Sequence, residues 1–530
     1  MSCTLRSFVS SHLIRNAGIG WRRIALGATL AVAAAGSESP GPANQPVNYE
    51  AFGAAGDGVT DDLPAIVRAH AFANAHGLPV KTKPGATYHL GRRALTAIIA
   101  TDTDWGTSRF IIDDTDVENH RASLFSVQSL LAPVQLTIPR LTRDQRHLDV
   151  HPPRDCWVRV ENSRRKRYIR EGLNQNNGSA QRDCFILRRD GSIEGDIDWD
   201  YDEVTQVEAR PIDERPLVLR GGIFTTTANR MKQAQGYNYW SRNIAITRSN
   251  TTVTGLVHHV VGEGEFGHPY NGFLSAHGCA NVTFRDCFVT GHKTYSTIGA
   301  AGKPVSMGSY DLIANEVVNF TMTGVRMDSI GDTTRWGVIG TNFCKNILLE
   351  HCTLSRMDTH QGVSGTYTLR DCTIGYVGLN AIGRGLLSVE DSTFTSRALI
   401  SLRADYGSTW EGTVVIRNCR WVPLGGTKSA PHLLNASNSG RHDFGYPCFM
   451  PREIVIDGLV IDDHQHPQDD QGPYLFNDPD GPAPATATRP FPYHLTEQVT
   501  IRHLTTTSGR KIRISPDAAF AARVKVMEQD

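Results

Sequence analysis

The sequence carries no surplus of charge of either sign. Its 530 residues hold 54 Lys and Arg against 54 Asp and Glu, a formal net charge of zero. That balance excludes nucleic-acid binding through bulk positive charge. No apolar run reaches the roughly 18 residues that a membrane-spanning helix needs. The 10 cysteines include no Cys-x-x-Cys, so the spacing of a zinc or thioredoxin-type site is missing. No long helical pattern separates the recurring segments described below, which excludes strand–helix–strand units. With 40% hydrophobic residues the chain is not wholesale disordered.

The N-terminus reads as an export signal. Arg22 and Arg23 precede an apolar run from Ile24 to Ala35, and Ala33, Ala34, Ala35 and Gly36 offer a cleavage site before Ser37. The expectation is a signal peptide over residues 1–36, of twin-arginine type, and a periplasmic or extracellular protein. No Cys stands at the cleavage site, so no lipid anchor is expected.

What the chain has is repetition. Asn281-Val-Thr-Phe-Arg-Asp-Cys287, Asn319-Phe-Thr-Met-Thr-Gly-Val325, Asn346-Ile-Leu-Leu-Glu-His-Cys352, Thr366-Tyr-Thr-Leu-Arg-Asp-Cys372, Leu386-Leu-Ser-Val-Glu-Asp-Ser392 and Thr413-Val-Val-Ile-Arg-Asn-Cys419 share one pattern. Weaker copies end at Leu256, Leu459 and Leu504. Apolar and polar residues alternate, which predicts strands with one inward face, and a polar pair then turns a corner. Repeats of about 20 to 40 residues with the same residue class at the same corner predict a solenoid. The fold class is therefore all-β: a single-stranded right-handed parallel β-helix, with coils stacked at about 4.8 Å. A β-sandwich would not require Cys and Asn to recur in register. The cysteines at the repeat landmark are expected to be buried reduced thiols that act as small hydrophobes.

Four regions follow from this pattern. Residues 47–99 form an N-terminal cap and the first coils, and 216–510 the β-helix core. Residues 100–215 break the repeat and read as a β-rich insertion, with Asn176-Asn-Gly and Asp190-Gly as hairpin turns. Residues 464–492, with seven prolines, read as a long loop, and 511–530 as a C-terminal tail.

The cap carries a more specific signal. Phe52-Gly-Ala-Ala-Gly-Asp-Gly-Val-Thr-Asp-Asp62 precedes a helical run from Leu63 to about Ala75, and then Pro84-Gly-Ala-Thr-Tyr88. Its glycines suit tight turns, and Thr60, Asp61 or Asp62 can cap a helix that closes the open end of a solenoid. This block resembles the start of the pectate-lyase-like (pectin lyase fold) superfamily, in the branch of rhamnogalacturonases, polygalacturonases, epimerase-like proteins and phage tailspikes. The resemblance covers about 40 residues, and the coil pattern extends it over most of 216–510. It implies a polysaccharide-processing β-helix in which Asp57, Asp61 and Asp62 are structural.

A solenoid builds a site by aligning side chains of successive coils on one outer face, so polar residues recurring at one offset past the landmark are the candidates. They give Asp332, Asp358 and His360 as catalytic residues. Glu263, His292, Tyr295, Trp336, Arg356, Arg403, Asp405 and Tyr406 are the substrate-binding candidates. If Asp332 and Asp358 occupied equivalent corners of adjacent coils, their carboxylates would lie on the order of 5 Å apart. Two like charges that close split into an acid and a base, the equipment of glycoside hydrolysis. The leading reading is accordingly a secreted glycoside hydrolase that needs no cofactor.

The same residues suit a uronate lyase or C5-epimerase, with Arg356 or Lys293 neutralising a carboxylate, His360 as base and Tyr295 as acid. Calcium would be plausible in that case, although no calcium loop or other metal-binding motif is visible. Asp358-Thr-His360 is similar to the Asp-x-His element of mannuronan epimerases, but the surrounding Tyr-Gly-x-Asp-Pro-His pattern is absent. The polygalacturonase set of Asp-Asp, Gly-His-Gly and Arg-Ile-Lys is absent too. A non-catalytic carbohydrate-binding or structural solenoid is the third reading. In all three the expected partner is a polysaccharide or oligosaccharide rather than a nucleic acid, and oligomeric state stays open.

Overall fold

Alternation of inward and outward residues produces one long column of side chains. A computed structural model describes residues 45–232, 238–335, 339–424, 430–464, 471–479 and 488–529. The signal peptide expected over 1–36 lies outside them. Parallel strands place Val282, Phe320, Ile347, Tyr367, Leu387, Val414, Ile454 and Val499 one above another in successive coils. All eight are buried in a single core. The sheet that holds them has 26 strands and closes on itself as a parallel β-helix.

The corners explain why particular polar residues recur. Asn250, Asn281, Asn319 and Asn346 adopt left-handed backbone with φ of 54°, 57°, 61° and 55°, a conformation asparagine tolerates better than most residues. Their amides form a ladder: Asn281 Nδ2 donates to Asn250 Oδ1 at 2.8 Å, Asn319 to Asn281 at 2.9 Å and Asn346 to Asn319 at 3.0 Å. A second left-handed corner runs through Asp286, His351, Asp371, Asp391, Asn418 and His503. The residue after it points inward, which buries Cys287, Cys352, Cys372 and Cys419. The nine described cysteines are all buried and unpaired, as expected of the four at the repeat landmark.

At the N-terminal end, helix Leu63–His76 sets Leu63, Ile66, Ala69 and Ala73 onto the first coils. The glycine-rich block ahead of it is held by its aspartates. Asp62 accepts from the Ala55 and Gly56 amides at 2.6 and 3.2 Å instead of capping the helix with its side chain. Asp61 accepts from Leu63 N at 3.2 Å and from Gly91 N at 3.0 Å.

Two boundaries differ from those read in the sequence. Residues after 100 do not leave the solenoid at once, because Thr103–Asp113 and Phe125–Val127 are coil strands. Thr103–Asp113 pairs in parallel with Leu217–Thr227, so the insertion begins only after Val127. It is a four-stranded antiparallel sheet of Cys156–Arg167, Ser179–Leu187, Ile193–Glu194 and Gln206–Pro211. One face has its own core around Val158, Val160, Phe185 and Leu187, and the other packs Trp157, Ile186 and Ile212 on Ala280 and Val318 of the coils. The C-terminal tail expected over 511–530 carries a short helix, Ala518–Ala521, and a strand within its described residues. Its strand Lys525–Glu528 pairs with Gln498–Thr506, and Phe520 of the short helix before it joins the core.

Candidate functional site

The strand Thr353–Arg370 carries the centre of the site. Met357 and Thr359 are buried, Met357 in the core, and Asp358 between them and His360 after them take the alternate face. The register passes from Thr341↔Thr359 directly to Asn342↔Gln361, so His360 is the extra residue of a β-bulge. Bulges of this kind re-aim a side chain next to functional sites. Opposite Asp358 stand Gly340 on one side and Asn380 on the other.

Asp358 is fully buried and accepts three donors. Arg356 Nη2 lies 2.5 Å from its Oδ1, Arg403 Nη1 3.1 Å from Oδ1, and the Tyr310 hydroxyl donates to Oδ2 at 2.9 Å. Burial alone would raise its pKa, but the two guanidinium groups, His360 and the Tyr310 hydrogen bond outweigh it and hold the carboxyl well below the usual range. With the Asn380 amide turned to present its oxygen, that oxygen accepts from Arg356 Nε and Nη2 at 3.1 and 3.2 Å.

The turn Ala404–Tyr406 places the next members. Arg403 bridges two coils: besides Asp358 it holds Asp405 through Nε at 3.0 Å and Nη2 at 2.9 Å. Arg170, which enters from the insertion, meets Asp405 Oδ2 at 2.6 Å and lies over the Tyr406 ring, 5.2 Å from its centroid. His360 meets the same ring edge-on at 6.1 Å. Burial, then the Arg403 charge, push the His360 pKa down to about 3, so the imidazole is neutral at working pH. Three guanidinium groups thus face two ionised carboxylates in this chain of contacts. His360, Arg403, Asp405 and Arg170 retain partial exposure.

Two of the remaining sequence candidates, Glu263 and His292, belong to a second cluster. His292 lies between Glu263 and Asp311, 3.2 Å from each, and His258 completes the chain with Asp311 at 3.0 Å and Thr226 at 2.9 Å. Tyr270 stacks on His292 with centroids 4.2 Å apart, and Phe273 stacks on His258 at 3.8 Å. Tyr295 is buried in a separate hairpin against Gly267.

The structure does not bring Asp332 to Asp358. Gly340, not Asp332, takes the position beside Asp358. Asp332 instead accepts from the Thr334 amide and hydroxyl at 2.9 and 2.8 Å and pairs with Arg335, which also reaches Glu263. Those Thr334 hydrogen bonds lower its pKa, so it too is ionised. The adjacent-carboxylate pair is therefore not assembled. Trp336 lies outside the described residues.

Arg170 was missed because nothing in a one-dimensional pattern ties it to a coil. Among the described residues no group of three or more His, Cys, Asp and Glu side chains is arranged to hold a metal ion.

No family model matches the chain. Over 121 residues it is 26% identical to a KL64-specific capsule depolymerase of Klebsiella phage P510, a stretch that is 21% of this chain and 12% of that protein. Among solved structures, it is similar to the Gp54 tailspike of Acinetobacter baumannii bacteriophage AP22, determined in complex with an A. baumannii capsular saccharide. The TM-score is 0.51 at 11% identity over 91% of this chain and 79% of that one. The Pseudomonas phage phi297 tailspike gp61 gives a TM-score of 0.47 at 15% identity over 91% and 84% of the two chains. The likeness to the AP22 tailspike is one of fold: the chain is a parallel β-helix protein.

Proposed function

We propose that the chain is an exported enzyme that processes a carboxylate-bearing polysaccharide at the Asp358–His360–Arg403 cluster, by proton abstraction next to the carboxylate, on a right-handed β-helix. The observation that carries this reading is a neutral imidazole held beside an excess of guanidinium groups. A uronate carboxylate seated against Arg403 and Arg170 is neutralised, which acidifies the C5 proton. The same carboxylate cancels part of the positive field that holds His360 down, so the base strengthens when substrate arrives. His360 takes the C5 proton, the C5–H electron pair forms the C4–C5 double bond, and the C4–O bond breaks. Tyr406 protonates the departing oxygen and recovers a proton from His360. Return of a proton to C5 from the opposite face, without the bond cleavage, is the epimerase outcome of the same first step. Asp358 fixes Arg403 and Arg356 and stays ionised. The capsule depolymerase relative and the tailspike crystallised with a capsular saccharide support a polysaccharide substrate.

Glycoside hydrolysis is the second reading. It needs a carboxyl protonated near neutral pH, and burial raises the pKa of the Asp183 carboxyl in a groove next to the cluster, against the opposing pull of the Lys345 ammonium paired with it. The test is to incubate the full chain with neutral and uronate-containing polysaccharides and read both new reducing ends and the ultraviolet absorbance of an unsaturated uronate. Elimination gives both signals, and His360→Gln should reduce them by about 10²-fold or more without lowering the melting temperature. Reducing ends without the absorbance would transfer the function to Asp183 and a hydrolase.

A further inference from the structure

Beyond Tyr168 lies a groove that crosses four coils. Lys345 is in register with Ser364, Val363 with Gly383, and Arg384 with Glu411, and together they form its floor. Trp199, Tyr168 and Tyr446 from outside the coils wall it in. The enclosed part is a cavity of about 80 Å³, room for about five waters, and it opens to solvent. It therefore takes one face of a sugar ring rather than engulfing it.

The chemistry of this groove differs from that of the arginine cluster. Each of its exposed-side cations is already matched: Arg143 with Glu411 at 2.8 Å and Arg384 with Asp144 at 2.6 Å. Lys345, buried at the floor, holds Asp183 and lies 3.4 Å from Asp198. No surplus charge invites an anion there. The aromatic walls instead suit the C–H face of a pyranose, and Ser364 Oγ, on a residue 2% exposed, has no hydrogen-bond partner in the protein. A buried hydroxyl in that state favours a ligand that brings its own hydroxyl groups. Ser364 stands four residues beyond His360 on the same strand, about 13 Å along it, within reach of one short oligosaccharide.

The geometry points to a subsite for a neutral, polyhydroxylated sugar residue, so that the substrate is a heteropolysaccharide in which a neutral residue neighbours the carboxylate-bearing one. This rests on the polysaccharide reading above and adds the composition of the chain that the enzyme selects.

Isothermal titration of the full chain with three probes tests it: hyaluronan oligosaccharides, in which uronate alternates with N-acetylhexosamine, oligogalacturonates, which are uronate only, and cello-oligosaccharides, which are neutral only. The mixed probe should bind at least about tenfold tighter than either of the others. Ser364→Ala and Trp199→Ala should each weaken the mixed probe by about tenfold and leave oligogalacturonate unchanged. Ser364→Ala removes only an unpartnered hydroxyl, so it reports even if Trp199→Ala fails to fold. Equal binding of the mixed and uronate-only probes, or variants that bind the mixed probe like wild type, would overturn the subsite while the arginine cluster stands. Failure of all three probes on the wild type would overturn both.

Discussion

His292 is buried, which disfavours its charged form, yet Asp311 and Glu263 on either side raise its pKa to about 9. A folded value above the unfolded one of about 6.5 means the contribution is complete below pH 6.5 and is lost as pH rises through 9. The expected size is roughly 3 kcal/mol. Urea denaturation at a series of pH values should show wild type losing that much more stability than His292→Gln across this window, and parallel curves would contradict the assignment. Asp358 works with the opposite sign. Its folded pKa is depressed, so its contribution is present above the unfolded value of about 3.9 and fades only in stronger acid. Asp358→Asn leaves Arg356 and Arg403 without their buried counter-ion. It should cost about 3–5 kcal/mol at neutral pH, and wild type should approach the variant only in strong acid. Part of this was legible in the sequence: Arg356, Asp358 and His360 share one strand, and Arg403, Asp405 and Tyr406 follow a later copy of the same repeat. The Asp332–Asp358 pair is not formed because an offset counted along the chain ignores how many residues each corner takes, and the true register sets Gly340 beside Asp358.

At the scale of one coil, what holds the corner is a backbone conformation and an amide ladder acting together, and the two can be separated. Asn319 has φ of 61° and links Asn281 to Asn346. Asn319→Ala loses the ladder and also pays the steric cost of left-handed backbone, about 1–2 kcal/mol. Asn319→Gly loses the same side-chain bonds, the one to Glu194 included, without that steric cost. Both variants should be destabilised by chemical denaturation, with glycine recovering about 1 kcal/mol relative to alanine. If alanine equals glycine, the corner owes nothing to asparagine's tolerance of that conformation. The coils were readable from the sequence for the same reason they are stable: each copy repeats a period of two and a corner residue. The insertion edge was not. Thr103–Asp113 and Phe125–Val127 lack the asparagine corner and the landmark cysteine, so they looked foreign although they pair with coil strands. Arg170 reaches Asp405 across 235 residues of sequence, a contact no local pattern records.

A stacked solenoid has the liability of an unpaired strand at each end, and here both the first coils and the strand Gln498–Thr506 are covered. The helix Leu63–His76 covers the first coils, and Lys525–Glu528 pairs with Gln498–Thr506 at the other end while Phe520 packs on Phe476 with centroids 5.3 Å apart. Removing residues 515–530 would uncover Gln498–Thr506 as an edge with free backbone donors and acceptors, and would expose Phe476 beside it. An uncovered edge of that kind templates pairing with another chain. The core column from Val282 to Ile454 is untouched by the truncation, so the shortened protein should keep its far-ultraviolet β signature. It should nevertheless self-associate in a concentration-dependent way that light scattering detects and the full chain does not show. Restoring the segment with Met527→Pro, which replaces a strand residue partnered with Thr500 and lying between the Lys525 and Gln529 N–H groups that donate to Glu497 and Ile501, should repair less than restoring the native segment, because proline removes a ladder donor. A truncated chain that stays as dispersed as the full one would show that the terminal strand does not protect this end.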